Sequence, residues 1–293
     1  MNDLLTDQQR VTIVTVTYNS AAVVKEMLSS VPAGARIIVV DNASQDLDAL
    51  RAVTDEFGAT LVENERNKGF GVACHIGALQ VETEFVLFLN PDAILLPDTL
   101  AKFVEATVNY PDASGFNPQL EDHDGKPFFK RKSYILPRSK WMPRGWPKND
   151  QIVSVLSGAA MFMTLDNYMK CGGFDPEIFL FHEDDDLALR LHAQCGPLMF
   201  IRDAIVQHGG GSSTTRSSEV AALKAWHMGH SRVYATCKHN MRFARTTAVV
   251  QSFLQAISPI VLFSARKRAK QFAFLRGVVH ASLGQKSDMR IDQ

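Results

Sequence analysis

Between residue 11 and about residue 110 the chain alternates short apolar runs with amphipathic stretches. Val11–Thr17 is a β-branched run closed by Tyr-Asn-Ser, as a strand entering a turn would be. Ser20 stands where a helix N-cap belongs, and the pattern predicts a helix through about residue 30. Arg36–Asp41 reads as a second strand with an almost wholly apolar interior, as expected for a parallel strand covered on both faces. A helix over about 46–57, a strand near Thr60–Glu63, a helix over 69–80, an apolar strand over 84–90 and a helix over about 97–109 follow. Such alternation implies right-handed crossovers and a parallel sheet.

From about 111 to 150 the texture changes to Pro, Lys and Arg interleaved with Trp141 and Trp146. A long loop is expected there, either a solvated insertion or a contact for an acceptor or a membrane surface. Strands are expected over 152–156 and 159–163, around Ser157 and Gly158, where glycine permits close approach of a substrate. Two short strands at 198–202 and 204–207 lead to His208 and a glycine-rich segment to about 218, which would serve as a lid. A helix is expected over 219–240. The apolar stretch 248–263 is too short and too interrupted, by Gln251, Gln255 and Pro259, to span a bilayer. With Arg266, Lys267 and Arg268 behind it, it reads either as a buried helix or as one lying on the cytoplasmic face of a membrane, and the basic cluster favours the second. The division expected is a catalytic domain over 1–240 and a helical extension over 241–293.

Composition narrows the classes. The 293 residues carry 31 basic and 31 acidic side chains, so the net charge is zero and no nucleic-acid partner is expected. Residues 1–10 lack the apolar core of a secretory leader. The four cysteines, Cys74, Cys171, Cys195 and Cys237, form no Cys-x-x-Cys pair and read as reduced cytoplasmic thiols.

The chemistry concentrates at predicted strand ends: Thr17-Tyr18-Asn19, Asp41-Asn42-Ala43-Ser44 and Asn90-Pro91-Asp92. One Asn or Asp after a strand is usually a turn former, but three on one sheet converge on the crevice beyond its carboxyl edge. A carboxylate there can accept the N3–H of uracil or thymine, and Asp41 is the candidate. A dinucleotide enzyme would need a Gly-x-Gly-x-x-Gly turn after the first strand, which is absent. A second cluster is the acidic run Glu183-Asp184-Asp185-Asp186 at the head of an apolar helical pattern. Acids cap a first helical turn, yet helical phase places Asp184 on the stripe of Leu187, Ala188, Leu191 and Cys195. Asp185 and Asp186 are expected to point away from that stripe. Asp184 is therefore the acid expected to be functional, with Glu183 as neighbour and stand-in.

The segment Gly172-Gly173-Phe174-Asp175, with Glu183-Asp184, Asp186-Leu187 and Arg190, resembles that of family 2 glycosyltransferases, inverting enzymes of the GT-A fold. Val-Thr-Tyr-Asn, Val-Val-Asp-Asn-Ala-Ser, Asn67 to Phe70 and Leu-Asn-Pro-Asp follow that family's order, and Asn-Pro-Asp is most similar to rhamnosyltransferase-type members. The resemblance implies an α/β fold, a GT-A-like, Rossmann-type mixed sheet flanked by helices. It implies transfer of one sugar from a nucleoside-diphosphate donor, dTDP-rhamnose or a UDP-sugar, to a glycan or lipid-linked acceptor in cell-envelope polysaccharide synthesis. Asp184 would be the general base; Thr17, Tyr18, Asn19, Asp41, Asn42, Ser44, Asn67, Gly69 and Asn90 would bind the nucleotide. Asp92 and His208 would hold a divalent cation, Mg²⁺ or Mn²⁺, although Asn90 is a weaker ligand than the Asp usual at its position. A sugar-phosphate nucleotidyltransferase and a non-catalytic nucleotide-sugar binder are the rival readings.

Overall fold

The computed structural model describes residues 5–209 and 218–287; the expected lid falls largely outside them. The N-terminal half follows the predicted alternation: β1 (Val11–Thr17), α1 (Ala21–Ser29), β2 (Arg36–Asp41), α2 (Leu47–Glu56), β3 (Thr60–Glu63), α3 (Phe70–Ala78), β4 (Phe85–Leu89), β5 (Ala93–Leu95) and α4 (Thr99–Asn109). Then come β6 (Gly115–Glu121), β7 (Pro127–Phe128), β8 (Gln151–Val153), β9 (Ala160–Thr164), α5 (Leu165–Lys170), α6 (Glu183–Gln194) and β10 (Leu198–His208). Helices α7 (Ser218–Lys238), α8 (Ala244–Ala256), α9 (Pro259–Leu262) and α10 (Ala265–Ser282) close the chain.

One mixed sheet orders its strands β3-β2-β1-β4-β9-β6-β10-β5, with β7 on β6 and β8 on β10. The block β3-β2-β1-β4 is parallel, and β9 runs antiparallel to both β4 and β6. Strand β6 then pairs in parallel with β10. Consecutive residues explain the unbroken apolar runs. Ile13, Val39 and Leu87 enter one apolar layer, while Val14, Val40 and Phe88 enter the other. At Gly77 of α3 an added Cβ would lie 2.6 Å from a Val14 methyl and 2.9 Å from one of Val40, so glycine is what lets this helix seat on the sheet.

Several expectations change. The stretch 111–150 contains a buried strand, β6, whose polar Asn117 is satisfied by the Ser157 and Ala160 carbonyls. The two short strands before His208 are one, β10, whose pairing with β6 shifts register between Ile201 and Ile205. Ser20 occupies the N-cap of α1 but donates its hydroxyl to the Tyr18 carbonyl at 2.9 Å. The Asp46 carboxylate accepts from the Ala21 N–H at 3.1 Å in its place. The apolar stretch 248–263 is broken by Ser258-Pro259 into α8 and α9. Helix α10 packs along α7 through Gly277, where a Cβ would collide with the Trp226 carbonyl, and buries Phe274 and Val278. Among the described residues no helix is long and apolar enough to cross a membrane.

Candidate active site

Three strand ends and two helices enclose a cavity of about 610 Å³, lined by Thr17, Tyr18, Asn42, Asn67, Gly69, Asn90, Gly158, Asp184 and His208, among others. It lies beyond the carboxyl ends of β1, β2 and β4, where open α/β sheets bind ligands.

The residues expected to bind the nucleotide sit on loops tied to one another. Asn42 spends its whole amide on structure. Its Nδ2 donates to Asn67 Oδ1 at 3.0 Å and to the Gly69 carbonyl at 3.3 Å, while its Oδ1 accepts from Asn64 Nδ2 and from the Lys68 N–H. Asn67 Oδ1 also accepts from the Gly69 N–H at 3.0 Å. Gly69 has φ +83°, and an added Cβ would collide with the Phe179 carbonyl, so only glycine fits this turn. Asn19 (φ +52°) and Ser44 lace the first two loops together: the Asn19 N–H donates to Ser44 Oγ at 2.8 Å, and the Gln45 N–H donates to Asn19 Oδ1 at 2.7 Å. Asp41 is 1% exposed and, like Asn19, Ser44 and Asp92, is not among the residues that line the cavity. Its Oδ2 accepts from the Ser44 N–H at 2.9 Å, and its Oδ1 is buried without a hydrogen-bond donor among the described residues. A base N–H would complete it.

Asp92 and His208, the pair expected to hold a cation, are brought together by strand pairing. His208, the last residue of β10, lies opposite Ala93, the first of β5, so the residue preceding β5 is brought beside the ring. His208 Nε2 stands 3.2 Å from Asp92 Oδ1 and 3.2 Å from Asn90 Nδ2. An imidazole nitrogen and a carboxylate oxygen 3.2 Å apart could together hold Mg²⁺ or Mn²⁺, with a diphosphate supplying further oxygens. No group of three or more His, Cys, Asp or Glu gathers anywhere among the described residues, so a cation held here would depend on its substrate for much of its shell.

The acidic run behaves differently from its helical phase. Glu183, Asp184 and Asp185 all line the cavity, and Asp184, with its side chain 20% exposed, is the most open of the three. Asp185 and Asp186, expected to face away from the core, are 6% and 0% exposed. The first turn of α6 is covered from several sides, so there is no outward face for them to occupy. Asp185 is held by Lys130 at 2.8 Å and by His182 Nδ1 at 3.1 Å; against the upward push of burial, these partners bring its pKa down to about 2. Asp186 accepts from Arg190 at 2.7 Å and pairs with Lys238 and His239 at 2.8 Å, which likewise outweigh burial and hold it well below the carboxylate range. It clamps α6 to α7. Glu183 is buried, with Oε2 unpartnered, and desolvation together with the neighbouring Asp184 charge pushes its pKa up to about 8.

Asp184 is held by three donors. Its Oδ1 accepts from the Asp185 N–H at 2.8 Å; its Oδ2 accepts from the Gly158 N–H at 2.9 Å and Lys130 Nζ at 2.5 Å. Gly158 allows this approach, because a Cβ there would come within 3.2 Å of Asp184 Oδ2. A carboxylate offers about four lone-pair sites, which leaves one for an incoming hydroxyl. Just before α6, Phe181 and His182 both sit at positive φ, 68° and 69°, a strained pair of the kind found at functional turns.

Lys130, Tyr134, Lys224 and Arg232 also line the cavity and were not singled out from the sequence. Lys130 was hidden in the run Lys-Arg-Lys, which as a whole reads as a solvated face. The spacing of Lys224, Met228 and Arg232, one helical face, was the available signal on α7.

A mixed sheet with its ligand crevice beyond the strand ends, a carboxylate at a helix head and an Asp–His pair across the cavity define a GT-A glycosyltransferase. Residues 12–172, more than half of the chain, match glycosyl transferase family 2, and the protein belongs to that family. It is 23% identical over 269 residues to an N-acetylglucosaminyl-diphospho-decaprenol L-rhamnosyltransferase of Mycobacterium tuberculosis strain H37Rv, covering 78% of this chain and 84% of that protein. It is 25% identical over 201 residues to rhamnosyltransferase WbbL of Escherichia coli K12, covering 61% of this chain and 75% of that one. Its fold is shared with the mannosyltransferase PcManGT of Pyrobaculum calidifontis, solved in complex with GDP-Man and Mn²⁺, at a TM-score of 0.58 and 15% identity over 94% of this chain and 88% of that one. TarS of S. aureus, residues 1–349 with UDP, aligns at a TM-score of 0.55 and 17% identity over 96% of this chain and 94% of that one.

Proposed function

We propose that this glycosyltransferase moves one L-rhamnose from its nucleoside diphosphate, dTDP-rhamnose in preference to a UDP-sugar, to a hydroxyl of a lipid-linked glycan acceptor, with inversion. The observation that carries the reading is that Asp184 and His208 line one cavity, base and diphosphate ends of a single site. The two rhamnosyltransferase relatives support the choice of sugar, and the mycobacterial one supports a lipid-linked acceptor.

In this mechanism the orphaned Asp41 Oδ1 accepts the N3–H of the pyrimidine, and the Asn42–Asn67–Gly69 lattice shapes the floor under the nucleotide. Asp92 and His208 would hold Mg²⁺ or Mn²⁺, which supplies charge neutralisation to the diphosphate. Asp184 takes the proton of the acceptor hydroxyl as its oxygen bonds to the anomeric carbon and the bond to the diphosphate oxygen breaks. The hydroxyl would approach the one lone-pair site on Asp184 that Lys130 and the Gly158 and Asp185 N–H groups leave open. Membrane contact belongs to the same reading: Phe253, Leu254, Ile257 and Phe263 are 50–91% exposed beside Arg266, Lys267 and Arg268, an apolar ridge with a basic rim suited to an anionic bilayer. The experiment is to supply dTDP-rhamnose or UDP-sugars with a diphosphate-linked N-acetylglucosaminyl lipid. Product mass and release of nucleoside diphosphate are then measured. Release of pyrophosphate, or no transfer from any donor, would overturn the proposal.

A further inference from the structure

Helix α7 turns one face to the cavity through Lys224, Met228 and Arg232, each four residues from the next. The two cations mark opposite ends. Lys224 feels the charge of Asp92, at the metal end. Arg232 lies at the base end: its neighbour Ser231 donates to the Leu180 carbonyl at 2.9 Å, in the turn that leads into α6. Eight residues of helix separate the two by about 12 Å along the axis.

Arg232 differs from the other cations around the site. Lys130 is paired with Asp184 and Asp185, Arg190 with Asp186, and Lys238 with Asp175 and Asp186. No carboxylate among the described residues lies within ion-pair distance of Arg232. Its guanidinium carbon stands 3.9 Å from the centre of the Tyr134 ring and 4.8 Å from that of Phe274, and its buried Nε has no acceptor among the described residues. Tyr134 in turn meets His182 edge-on, with ring centres 6.5 Å apart. Desolvation lowers the pKa of the guanidinium, against some help from Tyr134. Aromatic faces offset part of the cost of burying a guanidinium, but a missing anion remains the natural complement for its N–H fork.

We propose that Arg232 is an acceptor-side anion site that takes a phosphate group carried by the acceptor beside its attacking sugar. The enzyme's acceptors are then phosphate- or diphosphate-linked glycans and not neutral ones. The donor's diphosphate is the other possible source of such a group, and the position of Arg232 at the Asp184 end, two helical turns from Lys224, argues against it. The assignment rests on the transferase reading for the identity of the ligand, but its binding test does not.

Inorganic pyrophosphate is titrated calorimetrically into the full-length protein saturated with dTDP and Mg²⁺, so that the donor's place is filled. Wild type binds; Arg232→Gln weakens binding about 10- to 100-fold, the range of a lost hydrogen-bonded charge contact, and Arg232→Lys recovers part of it. Unfolding midpoints of both variants confirm that the fold is intact. In turnover, Arg232→Gln raises KM for a diphosphate-linked acceptor by a similar factor, while KM for the donor stays at its wild-type value. Pyrophosphate binding that is absent in wild type, or equal in wild type and Arg232→Gln, overturns the proposal. A rise in donor KM reassigns Arg232 to the donor and overturns it too. Arg232-dependent binding without sugar transfer upholds the anion site while refuting the proposed function.

Discussion

Replacing Asp184 by Asn separates chemistry from structure at the acidic run. The side chain keeps its size, and its one oxygen can turn toward Lys130 and the Gly158 N–H, the two donors now on Oδ2. The amide nitrogen then faces the Asp185 N–H, and that 2.8 Å bond is lost. One such bond is worth about 1 kcal/mol, so the unfolding midpoint should shift by only a few degrees. Turnover should fall far more. An amide cannot take a proton at neutral pH, and a positioned base contributes about 10²–10⁴-fold, or roughly 3–5.5 kcal/mol of barrier. The assay follows nucleoside-diphosphate release with dTDP-rhamnose and a diphosphate-linked acceptor, alongside calorimetric binding of dTDP, which should survive because Asp184 does not face the nucleotide. Transfer at near wild-type rate by a folded Asp184→Asn protein would refute the base assignment. The additional loss of dTDP binding would refute the division of the cavity into donor and acceptor halves.

Asp186→Ala should cost about 3–5 kcal/mol of stability by taking the carboxylate from Arg190 and His239, Lys238 keeping Asp175, visible as a lowered urea midpoint. Its depressed pKa also means that the stability it supplies is present above the ordinary carboxylate range and is lost as pH falls through its folded-state pKa; a variant with wild-type stability and acid sensitivity would contradict the clamp. Glu183 has the opposite sign. Its pKa near 8 favours the fold below the ordinary carboxylate range and withdraws that support as pH rises through 8, so Glu183→Gln should gain in melting temperature over wild type between pH 6 and 9. Parallel curves over that range would remove Glu183 from this role. Asp92→Ala and His208→Ala should abolish the extra thermal stabilisation that Mg²⁺ gives to dTDP-bound protein; full wild-type activity in excess EDTA would take the metal out of the mechanism. Phe253→Ser with Phe263→Ser should release the protein from anionic vesicles in a sedimentation assay without unfolding it, both rings being more than half exposed, and unchanged sedimentation would count against the membrane surface.

The sheet's first four strands were readable because each is covered on both faces. Ile13 and Val14 are neighbours in sequence yet belong to different apolar layers, which forces a continuous apolar run that polar turn residues then punctuate. Strand β6 has no such signature. Gly-Phe-Asn-Pro-Gln-Leu-Glu is buried along most of its length, but Asn117 and Gln119 are satisfied by partners far away or beside them, not by apolar contacts. Pro118 also argues against a strand on local grounds. The pairing with β9 and β10 that makes it one is set by residues 40 and more positions onward, which no local window sees.

The same distinction divides the site. Residues at and just beyond the strand ends were legible as a group because the topology that brings Thr17, Asn42, Asn67 and Asn90 to one crevice follows from strand order. Their individual duties were not legible: Asn42 is saturated by the Asn64–Gly69 turn, while Asp41 Oδ1 and Thr17 Oγ1 are buried without a partner among the described residues. Helical phase misplaced Asp185 and Asp186 because it assumes a helix with one buried face. The head of α6 is covered by Lys130 from one side and by Lys238 and His239 from another, residues more than 50 positions away. Asp184 remains the member free to meet a substrate for a reason the phase argument did not contain. Its two neighbours on the C-terminal side are consumed by cations that hold the helix in place, and Glu183 is too deeply buried to ionise easily. The run therefore divides its labour: Asp186 fixes α6 against α7, Asp185 anchors Lys130 and His182, and Asp184, the most exposed of the four, keeps acceptor capacity beyond its three donors at the cavity.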